Sequence, residues 1–526
     1  MATTVVRPAD PSFRDAWRLA ALFAVVKVLF HIAATAWTIH LGYGYFRDEF
    51  YYIACGRHLA WGYVDHGPIV ALQSRLAILL FGKSLYGIRM LSAFAGAARI
   101  FLTGLICWAM GGRRPAQALA MFAVSVGGIY IALDSFLSMN SFESLFWMTC
   151  IFALILILRN GNQKFWLLWG AAAGLGLLNK PSMTFFLVAL LIGLLLTPQR
   201  RLLLNRWAIL GVALMFLIVL PNLLWQIQNH WPTLEFLENG RARGKNLKLA
   251  PLEFLKQQIL ILAPATILVW FTGLVWLFRS PLAKPYRWIA LTYLFFLAIT
   301  MALHAKDYYV VPVYPMLFAA GAIAWENYFA KTRSVRENRV FAFPIFETII
   351  LAGAAVTLPM AIPVLRPASW VAYAKAIHMY NITESETAAT GPLPQFYADR
   401  FGWQEEVDIV TRAYNALSPE EKANACLWGS NYGEAGALEF LGHNLPTVIS
   451  GQNNYYLWGP HGCTGKVIIA VTPTANADLM SEYQSIELVG HLNNPWSMPY
   501  EHRNIYILRG RKDPIAPEWA DHKDYI

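Results

Sequence analysis

Charged residues are scarce in this chain of 526 residues. Asp, Glu, Lys and Arg together make up 14% of it, whereas apolar and aromatic types make up 57%. A soluble globular domain carries about 25% charged residues, so this composition excludes one. Apolar runs of about 20 residues, the length that crosses a bilayer, recur along most of the chain. The sequence therefore predicts a polytopic α-helical membrane protein.

Cysteine is also scarce, and its placement excludes the usual metal and redox motifs. None of the five cysteines has the spacing of a zinc site or of a thiol–disulfide motif. Cys107 and Cys150 fall within apolar runs and are interpreted as small packing residues. Cys426 and Cys463 lie in the polar C-terminal third. We predict a disulfide between them if that part of the chain faces an oxidising compartment.

About eleven apolar segments predict transmembrane helices. They lie near residues 16–40, 87–110, 115–133, 143–159, 165–179, 182–198, 207–225, 253–278, 286–303, 308–326 and 341–363. The first segment is too long for the apolar core of a signal peptide, and no small-residue cleavage site follows it. We therefore expect an uncleaved first span.

Basic residues sort the connections between these segments into two groups. Clusters of Lys and Arg fall on one side if the spans alternate from a cytoplasmic N-terminus, as the positive-inside rule requires. These clusters are Arg113 and Arg114; Arg159 and Lys164; Arg200, Arg201 and Arg206; Arg279, Lys284 and Arg287; and Lys331, Arg333, Arg336 and Arg339. The other connections and the C-terminal third are then predicted to face outward. Since the net charge of +10 is explained by topology, we expect membrane lipids and no nucleic acid as partners.

The first outer loop, 41–86, holds the stretch Gly44-Tyr-Phe-Arg-Asp-Glu-Phe-Tyr-Tyr52. Asp48 and Glu49 lie where the chain leaves the membrane, and carboxylates beside hydrocarbon are usually retained for function. A pair of solvated loop acids is the alternative. Further along, 68–82 has an apolar pattern too short to span the membrane. It predicts a helix in the interface, with a re-entrant segment as the alternative.

Several cations lie in outer connections, where the positive-inside rule does not expect them. Lys180 occupies the tight turn Leu178-Asn-Lys-Pro-Ser182, and Lys306 lies beside Asp307. The loop 226–252 carries Arg241, Arg243, Lys245 and Lys248. Such cations are typical of contacts with phosphate or lipid headgroups. A snorkelling lysine and a merely solvated loop are the alternatives.

The composition changes from about residue 366, after which no span-length apolar run remains. Short apolar runs at 426–430, 447–450, 466–471 and 505–508 predict buried strands. Ser418-Pro419 is a helix-start signal, and 434–441 has a helical pattern. Alternating strands and helices predict an α/β domain. We therefore predict two domains: 1–365, a transmembrane domain with the long loop 41–86, and 366–526, a soluble α/β domain outside the membrane.

Polar side chains from every outer connection would meet at one face of the membrane. They are Asp48, Glu49, Asp65, His66, Arg89, Asn140, Glu143, Lys180, the basic loop, Lys306 and Asp307. A carboxylate can take a proton from a hydroxyl group, and cations can hold a phosphate leaving group. This combination favours group transfer from a polyprenyl phosphate carrier, whose phosphate would lie at this depth.

Four stretches, in this order, resemble a known family. They are Asp48-Glu49, Trp61-Gly-Tyr-Val-Asp-His-Gly-Pro68, Gly174-Leu-Gly-Leu-Leu-Asn-Lys-Pro181 and Lys306-Asp-Tyr-Tyr-Val-Val-Pro-Val-Tyr-Pro315. Over roughly residues 16–330 the chain resembles the GT-C superfamily of membrane glycosyltransferases. Within it, the resemblance is to bacterial glycosyltransferase family 39, which includes protein O-mannosyltransferases and is related to lipid A aminoarabinose transferases.

The resemblance implies a multi-pass enzyme of the cytoplasmic (inner) membrane of a bacterium, with its active site facing the periplasm. Such an enzyme carries a sugar from a polyprenyl-phosphate donor to a lipid, glycan or protein acceptor, usually with inversion. Asp48 is then the expected catalytic base, and Glu49 its supporting neighbour. The candidates for binding the donor phosphate are Lys180, Lys306, Arg89, Arg241 and Arg243. The candidates for binding the acceptor or the donor sugar are Asp65, His66, Asn140, Glu143 and Tyr308.

Two further stretches bear on the resemblance. The run Ser138-Met-Asn-Ser-Phe-Glu-Ser144 departs from the family, because many members carry a Thr-Asp pair there. Asn431-Tyr-Gly-Glu-Ala-Gly-Ala437, together with 450–456, resembles a subgroup of the bacterial proteins. A tight turn that needs small residues explains its glycines equally well.

No cofactor is expected. Asp48, Glu49, Asp65 and His66 belong to residue types that can bind a divalent metal ion. The resemblance nevertheless favours cationic side chains in the place of a metal at the phosphate. His66 is then interpreted as a hydrogen-bonding loop residue.

Two other classes of function suit a membrane protein of this composition. A transporter or flippase of a lipid-linked or anionic solute would carry charges near mid-span. Here the charges are predicted to cluster at one face, which favours an enzyme. A scaffold for envelope assembly would not need the acidic pair. The sequence does not specify the sugar, the acceptor or the length of the lipid carrier.

Overall fold

The computed structural model describes residues 12–331, 339–380, 386–475 and 477–526, and it is mainly helical. Before residue 362 the helices are α1 (Phe13–His40), α2 (Arg47–Arg57), α3 (Pro68–Phe81), α4 (Leu85–Ala109), α5 (Arg114–Val126), α6 (Gly128–Leu133), α7 (Met139–Asn160), α8 (Phe165–Asn179), α9 (Ser182–Leu195), α10 (Arg206–Gln228), α11 (Pro232–Ala242), α12 (Pro251–Ile261), α13 (Ile267–Arg279), α14 (Arg287–Ala302), α15 (Tyr314–Lys331) and α16 (Arg339–Ala361). Short 3₁₀ segments lie at Pro198–Leu203, Pro264–Thr266, Pro281–Tyr286 and Asp307–Val313. Arg333 and Arg336 of the charge sorting lie outside the described residues.

Each predicted span coincides with a helix or a pair of helices. Within the described ranges, 7 helical segments are long and apolar enough to cross a membrane, or up to 8 if α12 and α13 form one span. The other predicted spans are helical but shorter. The helix α8 has 15 residues and α9 has 14, and the segment 114–133 is broken at Gly127 into α5 and α6. The chain is thus a multi-pass membrane protein.

A sharp bend separates α12 from α13, and α12 contacts the outer connection that follows α14. The two helices meet at 98°. Between them Ala263 has a positive φ of 68°, and it is followed by Pro264, which has no N–H to continue the helix. Because of the bend, Gln258 of α12 donates a hydrogen bond of 3.0 Å to the carbonyl of Asp307. The connection that carries Lys306 is held in this way.

The segment predicted to lie in the interface is the helix α3. It begins at Pro68, a residue suited to the first helical position because its missing N–H would have no partner there. Leu79 and Leu80 are exposed on it. An exposed apolar face is what a helix lying in the membrane interface requires.

A C-terminal α/β region follows the last long helix. Its helices are α17 (Pro367–Ala376), α18 (Gln395–Ala398), α19 (Trp403–Ala416), α20 (Pro419–Ala423), α21 (Tyr432–Leu441), α22 (Asn454–Trp458) and α23 (Ala477–Glu482). Its strands are β1 (Ala425–Gly429), β2 (Val448–Ile449), β3 (Val467–Thr472), β4 (Tyr483–His491) and β5 (Asn504–Arg511). The sheet order is β2-β1-β3-β5-β4, and β5 is antiparallel to both of its neighbours.

Local sequence signals in this region are confirmed, with one omission. The predicted helix start at Ser418 is a capping box, in which Ser418 and Glu421 exchange side-chain-to-backbone hydrogen bonds. The predicted disulfide joins Cys426 of β1 to Cys463, with their Cα atoms 6.0 Å apart. The edge strand β4 was not predicted, because most of its side chains are exposed and it lacks an apolar run.

The C-terminal region packs directly on the first outer loop. Tyr51 of α2 and Val70 of α3 share one hydrophobic cluster with Leu427 of β1. On α21, a Cβ at Gly436 would lie 2.8 Å from the Cβ of Phe50, so only glycine allows this approach to α2. Close helix packing therefore explains a glycine of the 431–437 stretch and places that stretch beside the acidic pair.

A buried ionic cluster joins α1, α4 and the end of α6 at mid-span. Lys27 lies in the middle of α1, roughly 20 Å from either end at 1.5 Å per residue. Its Nζ is 3.2 Å from Asp134 Oδ2, and Arg99 donates to the same oxygen. Each of the three is at most 3% exposed. The prediction that charges cluster only at the outer face is therefore wrong, because single cations within long apolar runs were overlooked.

Candidate active site

The acidic pair lies in the first turn of α2. Phe46 is the N-cap, and its N–H donates to Glu49 Oε2 at 2.8 Å. This bond satisfies one of the N–H groups that a helix start leaves unpaired. The partial positive charge of the helix N-terminus favours both carboxylates. Since neighbouring helix positions point in different directions, Asp48 and Glu49 have different surroundings.

Glu49 is completely buried, and both of its oxygens are occupied. Arg89 of α4 donates from Nε to Oε1 and from Nη2 to Oε2, each at 2.8 Å. The Leu137 N–H also donates to Oε1 at 2.8 Å. Burial alone would raise the pKa of Glu49, but the Arg89 guanidinium and these hydrogen bonds hold it below the ordinary value. Glu49 thus fixes α2 to α4 and to the start of α7.

Asp48 is only partly buried and faces the C-terminal region. The Tyr432 hydroxyl of α21 donates to Asp48 Oδ1 at 2.9 Å. Burial raises the pKa of Asp48, and the charge of Glu386 raises it further, whereas Arg47 and Lys245 act in the opposite direction. Asp48 is therefore a carboxylate with increased basicity within electrostatic range of two cations.

Lys180 of the tight outer turn is held against the start of α7. Its Nζ donates to Asn140 Oδ1 at 2.8 Å and to Glu143 Oε2 at 3.1 Å. The same ammonium group lies over the ring of Tyr309, 4.0 Å from its centroid, and 5.3 Å from that of Tyr308. Two stretches far apart in the sequence, Asn140 to Glu143 and Tyr308 to Tyr309, therefore meet around one cation.

Lys306 and the basic loop meet at Glu386. Lys306 Nζ donates to Glu386 Oε1 at 2.6 Å. Asn246 and Glu386 form an isolated antiparallel bridge, which places Lys245 beside the same carboxylate. Burial lowers the pKa of Lys245, and its interaction with Glu386 raises it. The cations of two outer connections thus share one acidic side chain.

Other predicted site residues differ in their surroundings. Asp65 accepts a hydrogen bond of 2.8 Å from the Tyr51 hydroxyl. His66 is buried, with Nδ1 2.8 Å from the carbonyl of Gly67, and it stacks on Tyr63. This arrangement fits the interpretation of His66 as a hydrogen-bonding loop residue. Burial, followed by the charges of Asp48 and Asp65, raises the pKa of Tyr52 well above its ordinary value, so both carboxylates lie near this ring.

The two arginines of the basic loop lie at the surface. Arg241 is exposed, and Arg243 forms an ion pair of 2.8 Å with Asp524. Asn239 of α11 donates to the carbonyl of Tyr525 at 2.9 Å. The end of the chain therefore holds α11 and the basic loop, and Arg241 and Arg243 do not join the group around Lys180.

A second, partly buried polar group that was not predicted lies beside Asp48. The Arg47 guanidinium lies over Tyr432, 4.5 Å from the ring centroid, and donates to the Tyr500 hydroxyl at 3.2 Å. Tyr500 in turn donates to Asp399 at 2.9 Å. Burial raises the pKa of Asp399 to about 8. The only sequence signals were the position of Arg47 next to the acids and the 431–437 stretch.

A metal site requires several ligating side chains around one point, and the described residues bear on this. Among them, no group of at least three His, Cys, Asp or Glu side chains is placed to hold a metal ion. The polar groups that do converge are cations and single carboxylates. Such a set can bind a phosphate directly and can accept a proton.

A family profile and two solved structures resemble this chain. The profile described as dolichyl-phosphate-mannose-protein mannosyltransferase matches residues 65–225. That range covers less than half of the chain and begins after the Asp48-Glu49 pair. No curated protein sequence matches the chain.

The two structures match along nearly the whole chain. ArnT from Cupriavidus metallidurans bound to undecaprenyl phosphate has a TM-score of 0.60 and 15% identity, over 93% of this chain and 99% of that one. ArnT from the same organism in the apo state has a TM-score of 0.58 and 16% identity, over 95% and 100%. At this identity the likeness shows the fold. The chain has the fold of these two structures, which confirms the predicted GT-C type of fold.

Proposed function

We propose that this protein transfers a sugar from a polyprenyl-phosphate donor to an acceptor outside the membrane, as family 39 glycosyltransferases do. The observation that carries the proposal is the position of Asp48 at the start of α2. Its carboxylate has a raised pKa, and it lies within electrostatic range of Lys245 and Glu386. ArnT, which shares the fold, is bound to undecaprenyl phosphate, and this supports a polyprenyl donor. The orientation in the inner membrane of a bacterium, with the site in the periplasm, is part of the proposal.

Asp48 is assigned as the catalytic base. Its Oδ1 accepts from Tyr432, which leaves Oδ2 for the proton of an acceptor hydroxyl or amine. As this proton transfers, the acceptor atom bonds to the anomeric carbon. The bond from that carbon to the phosphate oxygen breaks, and polyprenyl phosphate leaves with the electron pair. Burial raises the pKa of Asp48, and a raised pKa makes its ionised form a better base.

Lys180 and Lys306 are assigned to the leaving phosphate. The Lys180 ammonium group lies 5.3 Å from the centroid of the Tyr308 ring, and the Lys306 ammonium group lies within electrostatic range of the same residue. Cations held in place before the reaction stabilise the charge that develops on the leaving group. Asp65, Asn140, Glu143 and Tyr308 remain proposed contacts of the acceptor or the donor sugar.

Glu49 and Arg89 are assigned a positioning role. Each is almost completely buried, and the two form a bidentate pair. Their pair holds the first turn of α2, and hence Asp48, against α4. The exposed Arg241 and Arg243 are proposed to contact lipid headgroups.

Transport is the competing function, and the mid-span charges around Asp134 bear on it. Lys27 and Arg99 surround Asp134 and pair with it. All three are closed off from the surface, and they connect helices that pack along their length. The cluster is therefore interpreted as a device that fixes α1, α4 and α6, and group transfer remains the proposal.

The proposal is tested by lipid and glycan mass spectrometry of a deletion strain beside its wild type. We expect one envelope glycolipid, glycan or protein to lose a sugar and the sugar-charged polyprenyl phosphate to accumulate. Complementation with the wild-type gene should restore the sugar, and complementation with Asp48→Asn should not. An unchanged set of glycoconjugates, together with a solute that accumulates on one side of the membrane, would favour the transporter.

Substitution of Lys180 is expected to impair use of the donor. In Lys180→Ala, the cation nearest Tyr309 is lost, so the KM for the lipid donor should rise by roughly tenfold while the KM for the acceptor changes little. The measurement is steady-state kinetics of the reconstituted protein with each substrate varied in turn. Lys284→Ala is the matched control, because Lys284 is exposed and lies in a connection predicted to face the cytoplasm. Unchanged donor saturation in Lys180→Ala would reassign the phosphate to Lys306 and the basic loop.

A further inference from the structure

Glu386 lies among the cations that the proposed donor phosphate requires. Its Oε1 accepts from Lys306 Nζ at 2.6 Å, and both side chains are mostly buried. Its Oε2 is 3.5 Å from Gln395 Nε2. Burial alone would raise the pKa of Glu386, but the charges of Lys306, Lys245 and Arg47 hold it below the ordinary value. The carboxylate is thus ionised and bound by Lys306, and it shares the nearby cations Lys245 and Arg47 with Asp48.

We infer that Glu386 occupies the phosphate position when no lipid is bound, and that the phosphate group of the lipid displaces it from Lys306. A carboxylate and a phosphodiester both present oxygens that carry one negative charge. The N–H of Lys306 that points at Glu386 is already engaged in a short hydrogen bond. A phosphate oxygen can take that N–H only if the carboxylate moves away. This inference rests on the proposed function, because it takes the phosphate of the donor as the incoming group.

The charges of the donor, the product and Glu386 indicate when the carboxylate leaves Lys306 and when it returns. The donor phosphodiester carries one negative charge, as Glu386 does, so its entry leaves the local charge nearly unchanged. The leaving polyprenyl phosphate is a monoester, which approaches two negative charges near neutral pH because its second pKa is about 6. It is therefore held more strongly by the lysines. Return of Glu386 to Lys306 offsets part of this binding and assists release of the product.

The backbone around Glu386 allows the side chain to move without unfolding the region. The neighbouring Thr387 N–H donates to the carbonyl of Lys245 at 3.1 Å, and its hydroxyl donates to that of Gly244 at 2.9 Å. Together with the bridge to Asn246, these bonds attach the segment to the basic loop. The carboxylate can then rotate away from Lys306 while Lys245 stays in place.

Binding of undecaprenyl phosphate to the purified, detergent-solubilised protein tests the inference. An occupied site lowers apparent affinity in proportion to the fraction of protein that is competent to bind. Glu386→Gln should therefore bind undecaprenyl phosphate about tenfold more tightly and should show stronger product inhibition. Glu386→Asp keeps the charge but is one methylene shorter, so it should also bind more tightly than wild type. Glu235→Gln is the matched control, because Glu235 forms a 2.6 Å pair with Lys523 on the adjacent surface.

The outcomes separate this inference from the proposed function. Wild-type affinity in Glu386→Gln, with weakened binding in Lys306→Ala, would overturn the displacement by Glu386 and leave the donor site intact. If Glu386→Gln binds more tightly but Glu386→Asp keeps the wild-type affinity, general charge repulsion is responsible. That result also overturns the displacement by Glu386. Absence of undecaprenyl phosphate binding in the wild type and every variant would refute the proposed donor. Inorganic phosphate is the second probe, and tighter binding of it in Glu386→Gln would show that the phosphate group itself displaces the carboxylate.

Discussion

Asp48→Asn is expected to lower turnover by about two orders of magnitude or more. The amide keeps the shape of the side chain and its contact with Tyr432, but it cannot take the acceptor proton. The measurement is release of sugar from the lipid donor by reconstituted protein, with circular dichroism to show that the variant is folded. Asp408→Asn, on the exposed side of α19, should keep wild-type turnover and serves as the matched control.

The pH dependence of the same assay gives an independent check. Burial, the largest cause, raises the pKa of Asp48 above its ordinary value of 3.8, and the base works only when ionised. Turnover should therefore fall as the pH drops through this raised pKa, at a higher pH than an ordinary aspartate would give. The Asn variant should lack this acid limb in its residual activity. Turnover near the wild-type level in folded Asp48→Asn would refute the assignment and strengthen the transporter alternative.

Loss of Arg89 is expected to cause the largest change in stability. Arg89→Leu leaves the Glu49 carboxylate buried without its cation, and breaking a buried pair in this way costs about 3–5 kcal/mol of unfolding free energy. Glu49→Gln should cost less, because the amide oxygen can still accept from the Leu137 N–H. The double variant Arg89→Leu/Glu49→Leu should recover part of the loss, since no unpaired charge remains. Denaturant unfolding in detergent micelles is the measurement.

A surface ion pair provides the comparison for Arg89. Arg114 and Asp15 lie 3.0 Å apart, but the Arg114 side chain is 63% exposed, and water and salt screen such surface pairs so that they contribute little to stability. Arg114→Leu should therefore change the unfolding free energy little. If Arg89→Leu were no more destabilising than Arg114→Leu, the pair with Glu49 would not be the support of α2 that the structure indicates.

Much of the fold could be predicted from local patterns. The eleven apolar segments are all helical, because burial of backbone hydrogen bonds in a membrane leaves a long apolar run little choice but a helix. The capping box at Ser418 and the short apolar strands around Cys426 follow from equally local rules. The broken segment at Gly127 and the edge strand β4 were not predicted, since neither is marked by apolar length.

The candidate site could be predicted in its residue types but only partly in its arrangement. Asp48 and Lys180 were singled out because charge at a membrane surface is conspicuous. The buried pairing of Arg89 with Glu49 was not foreseen, and the sequence suggested a phosphate contact for Arg89 instead. Arg47 and Glu386 were not singled out either, because a charged residue in a polar stretch has no distinguishing pattern.

The sequence by itself determined that the chain is a membrane protein of helices followed by a C-terminal α/β region. These properties depend on the length and period of apolar runs, which are local. Only the tertiary structure decided which charges face which, because pairing joins residues far apart in the chain. Tyr432 reaches Asp48 across 384 positions, and Glu386 reaches Lys306 across 80. At these separations the partner of a side chain is set by how the helices and the sheet pack, and no local pattern carries that information.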